Sequence, residues 1–187
     1  MKQIRIPAVF MRVGTSRALM LKTDDLPKDR AKWPVLFRAM LGSPDPNGRQ
    51  LDGMGGGISS LSKICVIGPS DRNDADIDYT FAQVSVTGET VDFSGNCGNM
   101  SSAVGPFAID SGLIAMPDDG ECTVRIFNTN TSKIIHSTFM VEDGEAAVSG
   151  DMSIPGVAGG GAPVRLDFFR PAGTQGRGLL PSGAAQT

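Results

Sequence analysis

The residues best suited to chemistry lie in Ser94-Gly95-Asn96-Cys97-Gly98-Asn99-Met100-Ser101-Ser102-Ala103, where a cysteine stands between two Gly/Asn pairs. A run that reads as a helix follows directly. Glycines there let the backbone come close to a ligand. Free N–H groups at a helix start form an anion site, and the positive end of the helix dipole favours thiolate over thiol. A thiol that exchanges a proton beside a carboxylate cradle suggests proton chemistry on a small organic acid. The competing reading is a tight turn around a small buried residue.

The elements that must position this segment are short. Residues 4–12 and 17–22 read as strands joined by Val13-Gly14-Thr15-Ser16. A helix is expected over 33–41, with Pro34 in its first turn and Gly42 closing it. The stretch from 42 to about 59 is rich in Gly, Pro, Asp and Asn, and a loop that long is usually functional. Strands at 61–68, 77–86 and 90–93 then deliver Cys97. Residues 97–111 carry Met100, Ala103, Val104, Phe107 and Ala108 at helical spacing. Gly112 is the expected C-cap, and Pro106 is expected to kink the helix. Strands resume at 122–128, 133–141, 146–149 and 164–169. The pattern predicts an α+β fold of many short strands around one buried helix that begins at the cysteine.

Composition narrows the function classes. The chain has 187 residues, 40% hydrophobic and 20% charged, with a net charge of −3 and no basic cluster. Nucleic acid and anionic membranes are therefore poor partners, and no apolar run reaches transmembrane length. The first residues alternate like a strand rather than reading as a signal peptide. Three widely spaced cysteines, Cys65, Cys97 and Cys122, argue against a disulfide framework or a zinc site and suit a reducing cytoplasm. His136 is the only histidine, which argues against a histidine triad or multi-histidine metal site.

Longer motifs carry a resemblance. They are Met11-Arg12-Val13-Gly14-Thr15-Ser16, Leu41-Gly42-Ser43-Pro44-Asp45, Gln50-Leu51-Asp52-Gly53-Met54-Gly55-Gly56, Ser59-Ser60-Leu61-Ser62-Lys63, Asp78-Tyr79, Gln83-Val84, the Cys97 segment, Ala103-Val104-Gly105-Pro106-Phe107-Ala108 and Gly112-Leu113-Ile114. In type and order they resemble the PrpF family of 2-methylaconitate isomerases, which also includes 4-oxalomesaconate tautomerases and methylitaconate isomerases. The family's first motif usually reads MRGGTSKG; here Val13 replaces Gly, Arg17 replaces Lys and Ala18 replaces Gly. Arg for Lys keeps the charge and changes the donor geometry.

The resemblance implies a diaminopimelate-epimerase-like fold. Such a fold has two pseudo-symmetric lobes, each a curled, mostly antiparallel sheet around a central helix, with the active site between them. Residues 1–170 would be the N-terminal lobe and 171–187 a linker toward a second lobe. The implied activity is an allylic double-bond shift in an unsaturated tricarboxylate such as 2-methylaconitate or 4-oxalomesaconate, with neither cofactor nor metal. A lone lobe is expected to be an incomplete catalyst. On the same basis Lys63 is the proton-transfer lysine, with Cys97 across the pocket as second acid/base or as the group that shapes and polarises the site. Taken alone, Lys63 reads as a strand-edge lysine facing water.

Substrate carboxylates would be held by Arg12, Thr15 and Ser16 and by a backbone nest at Gly53, Gly55, Gly56 and Gly57. Asn96, Gly98, Asn99 and Ser101 at the helix start would bind ligand, cap the helix, or both. Cys65, Cys122 and His136 read as structural. Two other functions stay open: a thiol-dependent racemase or epimerase of the same fold, which needs a second catalytic cysteine, and a non-catalytic accessory lobe. The partners that follow are a second lobe or second copy of the chain, and an aconitase-like enzyme.

Overall fold

The structure is a computed structural model that describes residues 3–115 and 118–170. In chain order it contains β1 (Val9–Val13), β2 (Ser16–Lys22), α1 (Trp33–Leu41), β3 (Lys63–Pro69), β4 (Ile77–Val84), β5 (Val91–Asp92), α2 (Gly98–Asp110), β6 (Gly120–Asn128), β7 (Lys133–Glu142), β8 (Glu145–Ala146), β9 (Met152–Ser153), β10 (Gly160–Gly161) and β11 (Arg165–Phe168). A nine-stranded sheet runs β1-β2-β3-β4-β6-β7-β11, with β5 on β4 and β8 on β7. The links β2–β3 and β4–β6 are parallel; the other pairs are antiparallel.

Parallel neighbours need a crossover. α1 lies in the first and α2 in the second, and they cover opposite faces. Alternation along the strands shows this directly. In β3, Cys65 and Ile67 join the core around α2, whereas Ile64 and Val66 join the core around α1. In β2, Ala18 and Met20 go to α2, and Leu19 and Leu21 to α1. Burial on both faces explains the near-continuous apolar runs of these strands. α1 buries one stripe, Trp33, Phe37 and Leu41. α2 is buried on several sides, polar Ser101 and Gly105 included, and packs on β1, β2, β3, β6, β7, β8 and β11. The fold is the expected curled, mostly antiparallel sheet around a central helix, with a second helix outside.

Boundaries differ from the sequence reading for local reasons. The first strand starts at Val9 rather than residue 4, because Pro7 has no N–H for the ladder. The strand expected from 61 begins at Lys63, after a 3-10 turn at Ser59–Leu61. β9 and β10 form a small hairpin that the sequence reading did not contain. Cys97 is the N-cap of α2 rather than its first residue, and the helix runs on through Pro106. Ser111 ends it; Gly112 follows at φ 69°, donating to Ile109 O at 2.9 Å. The linker reading of 171–187 falls outside the described residues. Among the described residues no helix is long and apolar enough to cross a membrane.

Candidate active site

The expected site residues gather at one end of the sheet, where β2 and β3 begin and α2 starts. Lys63 is the first residue of β3 and only 7% exposed. It alternates in phase with Cys65 and Ile67, so its side chain is on the α2 face. Its Nζ donates to Gln83 Oε1 and lies 5.3 Å from the centroid of the Phe81 ring. Gln83 is its direct partner across the β3–β4 ladder. Cys97 is half-buried against the same core. Cys65 lies where the charges of both Lys63 and Cys97 act on it. Lys63 and Cys97 thus share one face.

The β1–β2 hairpin closes with Val13 opposite Ser16. Gly14 holds φ 56° there, and a Cβ on it would lie 2.7 Å from Asn99 Oδ1. Only glycine satisfies both demands. Asn99 Nδ2 donates to Thr15 Oγ1 at 3.0 Å and to Ser16 Oγ at 3.3 Å. Each hydroxyl accepts from Asn99; Thr15 is exposed and its own proton is left to donate outward, whereas Ser16 is buried. Asn96 is oriented in the same manner. Its Oδ1 accepts from Ser101 Oγ at 3.1 Å and from Asn128 Nδ2 at 3.3 Å, which leaves its NH2 as the free end. Ser101 Oγ also lies 3.1 Å from Cys97 O. The first amides of α2 have no side-chain cap, and the space beside Gly95 and Gly98 is open to 4 Å. The result is a rim of hydrogen-bond donors around Cys97.

Two expected binding groups lie outside the hydrogen bonds at the helix start. Arg12 is exposed and donates to Gly14 O at 3.0 Å. It stands between Met11 and Val13, which pack toward α2, and it lines the cavity that flanks α2 beside Asn99. The glycine nest is corrected, because its amides are already spent. Gly53, Met54, Gly55 and Gly56 donate to the carbonyls of Gln50, Met40, Leu41 and Leu61, and Gly57 donates to Gln50 Oε1. The glycines at 55 and 56 serve close packing instead: a Cβ would lie 2.2 Å from Gln50 Oε1 and 2.7 Å from Arg17 Nη2, respectively.

The other thiols are poor proton carriers. Burial pushes Cys65 up to about 12; the Tyr79 hydroxyl, 3.7 Å away, only partly offsets this. Burial, followed by the Cys65 charge, holds Tyr79 well above the usual phenol range. Burial and the Asp76 charge raise Cys122. Neither of two surface cavities includes Lys63 or Cys97. One of about 510 Å³ lies at the 42–52 loop, and one of about 380 Å³ flanks α2 beside Asn99.

Sequence reasoning missed Gln83, Asn128 and Asn130. Asn130 accepts from Phe81 N at 2.8 Å and donates to Phe81 O at 2.8 Å and Phe93 O at 2.6 Å. It fills the ladder of β4 between the residues paired with β6 and those paired with β5. The polar run Asn128-Thr129-Asn130-Thr131, longer than a hairpin needs, was the available signal.

A curled sheet of this kind defines a racemase- and epimerase-type fold. A probable proline racemase from Agrobacterium radiobacter K84 shares it, with TM-score 0.52 and 16% identity over 75% of this chain and 39% of that one. A crystal structure of methylitaconate-delta-isomerase matches at TM-score 0.88 and 48% identity, covering 97% of this chain and 46% of the other. The family model described as PrpF protein matches residues 3–186, and the chain belongs to the PrpF family. It is 48% identical to 3-methylitaconate isomerase of Eubacterium barkeri, over 97% of this chain and 47% of that protein. It is 43% identical to 2-methyl-aconitate isomerase of Cupriavidus necator (97% and 48%) and 43% identical to 4-oxalomesaconate tautomerase of Pseudomonas putida (98% and 50%). The chain spans about half the length of the relatives it matches.

Proposed function

We propose that this chain forms one wall of the active site of an isomerase that shifts a double bond in an unsaturated di- or tricarboxylic acid. The observation that carries the reading is the donor rim around Cys97, on the face that also carries Lys63. The outward proton of Thr15, the free NH2 of Asn96 and the uncapped amides at Gly98 and Asn99 suit carboxylate oxygens, with the buried Ser16 hydroxyl behind them. The amine of Lys63 takes the allylic proton from the substrate carbon beside a carboxyl. The electron pair moves into the conjugated system as a dienolate, whose oxygen charge the helix amides stabilise. Cys97 returns a proton two carbons away, and the double bond has moved. The reverse assignment of Lys63 and Cys97 runs the same shift in the opposite direction.

Residues 1–170 act as one lobe with 171–187 leading toward a second unit, which covers the donor rim and excludes water. That unit is a second lobe or a second copy of the chain. Three free cysteines suit a cytoplasmic setting. The names of the relatives suggest methylitaconate, methylaconitate and oxalomesaconate as first substrates to assay. The double-bond shift is followed by absorbance, on this chain alone and on a version completed to the relatives' full length. We expect turnover from the completed protein and a loss of roughly 10²–10⁴-fold on Lys63→Met. Full activity in that variant would discard the proton-transfer reading.

A further inference from the structure

Every hydrogen-bonding end of the Gln83 side chain has a partner. Its Nε2 donates to the carbonyls of Ser59 at 3.0 Å and Ser62 at 2.8 Å. With both amide protons spent, only Oε1 can meet Lys63, and it accepts from Nζ. Gln83 is anchored in turn. The Ser62 hydroxyl donates to Val84 O at 2.9 Å and accepts from Gln50 Nε2 at 2.8 Å. Gln50 is 1% exposed, also donates to Ser43 Oγ at 2.8 Å, and takes the Gly57 amide on its Oε1 at 3.0 Å. Two glutamines therefore connect the glycine-rich loop to the amine of Lys63.

The partner at position 83 is neutral, and that has a chemical consequence. The ion pairs among the described residues join other side chains, so Lys63 has no carboxylate partner. The titratable group shown to feel its charge is Cys65 on its own strand, on which the charge of Cys97 at the start of α2 also acts. A carboxylate beside a lysine holds the ammonium form and opposes proton release. An amide oxygen aims the amine without adding a full negative charge.

We propose that Gln83 is the positioning residue for Lys63: it aims the amine along the Cys97 face and, by being uncharged, sets the pH range over which Lys63 exchanges its proton. This deepens the isomerase reading and rests on it for the use made of the proton, though not for the placement of the amine.

The test titrates Lys63 by NMR in protein carrying ¹³C-labelled lysine, with its Cε signal assigned through Lys63→Arg. Gln83→Glu should move the titration midpoint of Lys63 up by roughly one pH unit or more, with the other lysines unmoved. Gln83→Met, which removes both ends of the amide at similar size, should shift the Lys63 signal toward those of the exposed lysines. In the completed enzyme it should lower kcat with little change in KM. A Lys63 midpoint that stays put in a folded Gln83→Glu protein overturns the proposal. If that variant does not fold, an unchanged Lys63 signal in Gln83→Met overturns it equally. Failure of the isomerase reading would appear separately, as absence of turnover in the unsubstituted completed protein.

Discussion

Two glycine-rich segments of this molecule look alike in sequence and differ in what their amides do. The loop from Gln50 to Gly57 and the segment from Gly95 to Asn99 both read as backbone cradles for a carboxylate. In the loop, every amide from Gly53 to Gly57 is donated to the protein itself. At the start of α2, no side chain caps the first turn, and open space surrounds Gly95 and Gly98. Glycine content alone does not make an anion site. What decides is whether the N–H groups are already paired, and whether protein or solvent occupies the place of the missing Cβ.

The sharpest way to break the comparison is to add one methyl group to each segment. In Gly53→Ala the new Cβ would lie 2.1 Å from Gly42 N and 2.4 Å from Leu41 C. Both are backbone atoms at the end of α1 and cannot swing aside. A loss of about 2–3 kcal/mol is expected in urea unfolding. In Gly98→Ala the methyl meets nothing within 4 Å, and alanine suits a helix better than glycine. Stability should hold or rise by up to about 1 kcal/mol, while carboxylate binding weakens because the methyl crowds the donor rim. Equal losses of stability in the two variants would remove the distinction between a spent segment and an open one.

A second measurement compares thiols. Cys65 is fully buried and pushed up to about 12 by that burial. Cys122 is raised by burial and by Asp76. Cys97 stands at the open helix start. Iodoacetamide near neutral pH should label Cys97 first, by roughly tenfold or more over Cys65, and trans-aconitate should slow labelling at Cys97 alone. Mass-mapped modification of Cys65 or Cys122 ahead of Cys97 would contradict the assignment of the open face.

The same contrast explains which parts were legible in the sequence. α1, α2 and the long strands were, because burial against one or two faces imposes a period on the apolar residues. The grouping of Gly14, Thr15, Ser16 and Asn99 with Cys97 was too, through short motifs at turns. Gln83 was not, because its role depends on the register that sets it opposite Lys63, 20 positions earlier. The spent loop misled for a related reason: its acceptors come from Met40, Leu41 and Leu61, and nothing within a Gly-Met-Gly-Gly-Gly run announces them.

The smallest expected effect concerns the residue that ties down the entry to the spent loop. The Asp45 carboxylate accepts from Asn47 N at 2.9 Å, Arg49 N at 2.9 Å and Gln50 N at 2.6 Å. The backbone N–H of Asn47, followed by that of Arg49, holds it below its ordinary value of 3.8. A carboxyl whose folded value is depressed adds stability that is present above the unfolded value and is lost as pH falls through the folded one. Asp45→Asn keeps the shape but turns one accepting oxygen into an NH2 that faces N–H groups. Its urea midpoint should therefore lie below that of the unsubstituted protein at pH 7. The gap should close as pH falls below 3.8 and the native carboxyl takes up its proton. Asp45 is only half-buried, which keeps the effect modest. Labelling of Cys97 at pH 7 should not change, because the start of α2 draws none of its hydrogen bonds from this loop. A gap that persisted unchanged at pH 3 would mean that the loop depends on the shape of Asp45 rather than its charge. A change in Cys97 labelling would mean that the two glycine segments are coupled, through Gln50, Ser62 and Gln83, more tightly than their separate hydrogen bonds indicate.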